Sequence, residues 1–193
     1  MRDNVKTHEM TSTQLFILTQ QVCQWWNAVF IQSDRFFNIL NVSHGGTPWD
    51  NSENNSLFAA DRMFLITAIY HAVEDLQKLN IELQRNNDTS LQLILEDIEK
   101  IAPWSDIKDL RDMNVHNLDY LVKKGQKEKD FRSTVKIGNN EILTTAAWTH
   151  INHDENVILI GKIRIQELLN VMKRHFPFVS MKTKQIYEKT LLG

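Results

Sequence analysis

The sequence predicts a mainly α protein: an up-and-down helical bundle with a small antiparallel β-hairpin or sheet added near the C-terminus. Three observations carry this. Before residue 125, long segments repeat apolar residues at three- and four-residue steps, the period of one buried helix face. Helix punctuation divides them: Thr11 with Gln14, Thr89 with Gln92, then Pro103 and Gly125. Beyond Gly125 the texture changes to β-branched runs split by Gly, Asn and Asp. The expected organisation is a disordered tail over 1–10, a helical bundle over 11–125, and a β-hairpin plus C-terminal helix over 126–193 packed on the same domain.

The first helix starts at the Thr11/Gln14 capping box and carries Leu15, Leu18, Val22, Trp25, Val29 and Phe36 on one side. It either reaches Leu40 or breaks near Gln32-Ser33-Asp34. Trp25, Trp26, Phe30, Phe36 and Phe37 read first as aromatic core at helical spacing, and second as the wall of a ligand cavity. Asn41–Asn55 is dense in turn formers and reads as a loop. Gly45-Gly46 lacks a following Lys-Ser/Thr, so it is no phosphate cradle.

Leu57–Gln84 is the second long helix, with Met63, Ile66, Tyr70, Val73, Leu76 and Leu83 on its apolar side. His71, Glu74 and Asp75 are on its polar side. Thr89 with Gln92 predicts a capping box for a helix over Leu91–Ile101. Ser105, after Pro103, is placed to cap the next helix, which runs to about Lys124. Thr134–Ile137, Glu141–Ile151 and Asn156–Ile160 read as strands turning at Gly138-Asn139-Asn140 and His153-Asp154-Glu155. A last helix over Arg164–Phe176 buries Leu168, Leu169, Val171 and Met172 and ends before Pro177.

Composition bounds the function. With 193 residues, 24% charged and 42% hydrophobic, the chain suits one ordinary globular domain rather than a disordered segment. A net charge of −2 argues against bulk electrostatic attachment to nucleic acid, so DNA is not expected and any RNA contact must be local. Cys23 is the single cysteine and reads as a buried thiol of a reducing compartment. No apolar run has the length of a membrane span, and the N-terminus lacks the apolar stretch of a signal peptide. The expected location is therefore cytoplasmic.

The helix from Ser105 to Lys124 holds the one arrangement suited to chemistry. Ile107, Leu110, Leu118 and Leu121 form a buried stripe, and Asp109, Asp112, His116, Asp119 and Lys123 form a polar row. At about 100° per residue Asp112 and His116 share a face, while Arg111 stands roughly 140° from His116. The bland reading is a solvated face with ordinary four-residue pairs. His150, His153 and Asp154 offer too few good ligands, at the wrong spacing, for zinc. No metal and no cofactor is expected.

Arg111, Asp112 and His116, late in a helix of an all-helical region, resemble the signature of HEPN domains: Arg, four to six residues, then His, with a polar residue after the Arg. The helix carrying His71, Glu74 and Asp75 is similar to the one that packs beside the motif in that family. The resemblance covers roughly residues 12–125. It implies metal-independent cleavage of RNA by the ribose 2′-hydroxyl, with Arg111, Asp112 and His116 catalytic and His71, Glu74 or Asp75 supporting. An imidazole can exchange the proton and a guanidinium can hold the phosphate. The resemblance also implies a homodimer, and a toxin or defence role with an antitoxin or other protein partner.

Lys123, Lys124 and Lys127 are the expected substrate-binding residues. They belong to a run with Lys129 and Arg132 that reads first as a solvated connector and second as a phosphate-binding edge. Leu118 stands where tyrosine-modified members have Tyr, and the nearest tyrosine is Tyr120, so modification there is not expected. The alternative function is an inactive HEPN-type module for dimerisation or partner binding.

Overall fold

The computed structural model describes residues 10–42, 52–115, 132–145, 149–152 and 157–192. Among them are helices α1 (Ser12–Val42), α2 (Ser52–Arg85), α3 (Gln92–Ile101), α4 (Trp104–Val115) and α5 (Ile165–Leu192). The strands are β1 (Arg132–Ile137), β2 (Asn140–Thr145), β3 (Thr149–Asn152), β4 (Val157–Ile160) and β5 (Ile163–Arg164). The protein is mainly helical, with small antiparallel sheets near the C-terminus. No helix among the described residues is long and apolar enough to cross a membrane.

The α1 helix opens as its sequence demands. Gln14 N–H donates to the Thr11 hydroxyl at 3.2 Å, and Thr11 N–H donates back to the Gln14 amide oxygen at 2.9 Å, satisfying donors the first turn leaves free. It runs through Gln32-Ser33-Asp34 without a break. Leu18, Val22, Trp26, Val29 and Phe36 face inward and are buried, each burial stabilising by roughly 1.5–3 kcal/mol. The Trp26 indole N–H donates to the Ala72 carbonyl across the helix pair at 3.2 Å. Phe36 stacks on Phe58 and Trp25 on His71, so α2 runs antiparallel to α1. Arg35 reaches the buried Asp61 carboxylate at 2.9 Å and neutralises it.

On the other side of α1, Phe16 meets Tyr187 and Phe30 meets Phe176, so α5 is antiparallel to α1 as well. The α3 helix bridges to α5 through Asp97, which meets Arg174 at 3.1 Å and His175 at 3.0 Å. Lys182 bonds Asp88 in the turn after α2. Cys23 is only half-buried and lines an α1–α5 groove with Thr19, Thr183 and Tyr187, not the core interior expected for it.

Several expected boundaries shift. The α2 helix begins at Ser52 rather than Leu57, shortening the expected loop. Gln92 does not close a capping box with Thr89, because its side chain is used elsewhere. Its carbonyl accepts from Asn80 at 3.2 Å and Gln84 at 2.9 Å, and its amide donates to Glu96 at 3.0 Å. Ser105 is not the cap of α4 either. It lies inside the helix, and Glu99 accepts from the Trp104 N–H at 2.9 Å. Nor does α5 stop before Pro177. It passes through the proline to Leu192, because Val179, Thr183 and Ile186 continue the buried stripe beyond it.

The stretch expected as one strand, Glu141–Ile151, divides between two sheets: β1 pairs with β2, and β3-β4-β5 form the other, all antiparallel. The β1–β2 and β4–β5 turns each have two residues and open on a glycine at positive φ, Gly138 at 54° and Gly161 at 59°. The second turn was not expected from the sequence. The Thr144 hydroxyl donates to the Gly161 carbonyl at 2.9 Å and ties the first hairpin to the second. Ile158, Ile160 and Ile163 join the helical core.

Candidate functional site

The α2 helix is the axis of the site. Tyr70, His71, Glu74 and Lys78 are spaced so that, at about 100° per residue, all four share its outer side. The Tyr70 hydroxyl donates to Glu74 Oε1 at 3.0 Å, and Lys78 Nζ donates to Glu74 Oε2 at 3.0 Å. His71 Nδ1 lies 3.7 Å from Glu74 Oε2. From α1, the Trp25 indole lies flat on the His71 ring, with centroids 4.6 Å apart and planes at 23°.

The α4 helix completes the cluster from the other flank. Trp104, in its first turn, stacks on Tyr70 with centroids 5.1 Å apart. Two turns later the Arg111 guanidinium carbon stands 5.1 Å from the centre of the same ring. Two helical turns rise about 10.5 Å, which leaves room for one aromatic ring between the indole and the guanidinium. Tyr70 fills that slot, and the cation gains the attraction of the ring face.

Electrostatically the cluster is a set of matched charges. The Asp112 carboxylate, 2.8 Å from Arg111 Nη1, holds the guanidinium above its ordinary value, and Tyr70 and Glu74 add to this. Burial raises the Tyr70 phenol, and its bond to Glu74 raises it further. Burial also pushes Glu74 upward, but the hydrogen bonds from Lys78 and Tyr70 outweigh it and keep the carboxyl below its usual range. Arg111 and Asp112 are each about one-third exposed (34% and 32%), so a solvent-borne anion can reach the guanidinium.

Among the expected site residues, the structure brings Arg111 and Asp112 together with Glu74 and, through Tyr70, with His71. Asp75 is buried and meets the cluster through Lys78, which bonds it at 3.0 Å and bonds Glu74 as well. His116, Lys123, Lys124, Lys127 and Lys129 lie outside the described residues, as do His153 and Asp154. Among the described residues no group of three His, Cys, Asp or Glu side chains is placed to hold a metal. Among the described residues, the aromatic side chains of α1 are divided among three surroundings. Trp26 is fully enclosed in the core, Trp25 covers His71, and Phe30 lines a groove of about 590 Å³ with Phe37 and Phe176.

Sequence reasoning missed the contribution of Tyr70 and Trp104. The signal was present in spacing: Tyr70 to Glu74 is one helical turn and Trp104 to Arg111 two, so each pair shares a face. What spacing could not supply is that the two faces meet. No protein-family model matches the chain, and neither a curated protein nor a solved structure matches it.

Proposed function

We propose that the chain is a HEPN-like, metal-independent endoribonuclease. In this reading Arg111 holds the scissile phosphate and stabilises charge building on it, and Asp112 orients Arg111. His116 exchanges the proton of the ribose 2′-hydroxyl. RNA supplies its own nucleophile, so the product is a 2′,3′-cyclic phosphate end. Lys123, Lys124 and Lys127 extend the contact along the strand. Pairing of two copies and a toxin-like role held by an antitoxin, in the cytoplasm, belong to the same proposal.

The observation that supports it is the convergence of Arg111 with the α2 polar row. A guanidinium about one-third exposed is presented above Tyr70 and beside Glu74, paired with Asp112 yet open to solvent. The test is cleavage of a mixed RNA pool in chelator. The wild type should cleave and leave cyclic phosphate ends. Arg111→Ala and His116→Ala should each lose at least about 100-fold while keeping the wild-type circular dichroism and a cooperative melting transition.

The alternative, an inactive module for dimerisation or partner binding, is favoured by the Asp112 contact. That 2.8 Å bond already occupies one edge of Arg111. Intact RNA after incubation with folded wild-type protein would select this second reading.

A further inference from the structure

We propose that His71 is the second proton-transfer residue of the site, the acid that protonates the departing 5′-oxygen. This rests on the nuclease reading above, which assigns one imidazole to a reaction that needs both a proton acceptor and a proton donor.

Geometry singles out His71. Its ring is fixed on three sides: the Trp25 indole covers one face at 4.6 Å, the Tyr70 ring stands edge-on at 5.1 Å, and Glu74 Oε2 faces Nδ1 at 3.7 Å. With Nδ1 turned toward Glu74, Nε2 remains, and it has no partner among the described residues. The side chain is 32% exposed. His175 shows the structural alternative in the same protein: it is 16% exposed, and its Nε2 is committed to Asp97 at 3.0 Å. Tyr70 touches both His71 and Arg111, so the imidazole and the phosphate-holding guanidinium flank a single ring. Among the described residues, the charged groups around His71 are Glu74 and Lys78 on its own helix and, beyond Tyr70, Arg111 and Asp112 on α4; α1 contributes the uncharged Trp25.

The step balances without any co-reactant. The 2′-oxygen bonds to phosphorus as the bond from phosphorus to the 5′-oxygen breaks. The 2′-hydroxyl proton passes to His116, and the Nε2 proton of His71 passes to the 5′-oxygen. Solvent then restores both rings.

The test compares wild type, His71→Gln and His116→Ala on two RNA substrates. One has the natural 5′-oxygen at the cleavage site, the other a bridging 5′-sulfur, which leaves as a thiolate without being protonated. His71→Gln should fall at least about 100-fold on the oxygen substrate and return to within about threefold of wild type on the sulfur one. His116→Ala should stay slow on both. Wild type should show a bell-shaped pH–rate profile whose alkaline fall His71→Gln lacks. An equal loss on both substrates, or no loss on either, overturns the role of His71 and leaves the nuclease reading standing. Failure of the wild type to cleave either substrate overturns both.

Discussion

The guanidinium of Arg111 lies over the ring of Tyr70, whose hydroxyl is bonded to Glu74. One phenol therefore joins α4 to α2 by its face and α2 to itself by its hydroxyl. Tyr70→Phe should keep the cation–ring contact and cost about 1 kcal/mol through the lost hydrogen bond. Tyr70→Ala should cost about 2 kcal/mol and uncouple Arg111. A double-mutant cycle with Arg111→Ala, read by urea unfolding, should give a coupling of about 0.5–1 kcal/mol. Strict additivity would mean that the ring does not hold the cation in solution.

Asp88 should shape the acid limb of stability. Its carboxyl is pulled from 3.8 to about 2, first by the hydrogen bond from Lys182 and then by bonds from Ser90. Because the folded value lies below the unfolded one, the stabilisation is present above about pH 4 and is lost as pH falls toward 2. The side chain is 30% exposed, so screening leaves about 1 kcal/mol. Asp88→Asn should be less stable than wild type by that amount at neutral pH and equal to it near pH 2. A difference that persists at low pH would point to packing instead.

The start of α4 gives a contrast between two neighbouring residues. Glu99 accepts from the Trp104 N–H, whereas Ser105 lies inside the helix. Glu99→Ala should cost about 0.5–1 kcal/mol, as loss of a cap does, and Ser105→Ala less than about 0.5 kcal/mol. The reverse order in thermal melts would restore Ser105 as the cap.

Pro177 sits inside α5 and is exposed. It has no N–H for the carbonyl four residues earlier, and its ring crowds that turn. Pro177→Ala should therefore stabilise by roughly 1–3 kcal/mol, raising the urea midpoint without changing the slope. A lower midpoint would show that the fixed backbone of the proline is needed to keep Phe176 against Phe30.

The helices were legible because their apolar spacing is strong. Val22, Val29 and Phe36 on α1, and Val73 and Leu76 on α2, fall where periodicity places a core. The Thr11/Gln14 box was legible for the same reason, since both partners are local. What failed was competition from outside the segment. Gln92 left its expected cap for Asn80 and Gln84, Glu99 displaced Ser105, and the buried stripe of Val179 and Ile186 carried α5 past a proline. The division of Glu141–Ile151 depends on which hairpin each half pairs with, information held in Arg132–Ile137 and Val157–Ile160. At the site, the contact of Arg111 with Asp112 is local to two adjacent residues, but the Tyr70 slot arises only when α4 docks on α2.

Trp25 and Trp26 are consecutive in the chain yet occupy unlike media. The inner indole is sealed and anchored to Ala72, while the outer one lies on an imidazole that solvent reaches. Sliding α1 along α2 by one position would rotate its side chains by about 100° and break both arrangements at once. The register of the two helices is thus written in two adjacent side chains, one enclosed and one beside a solvent-reached ring.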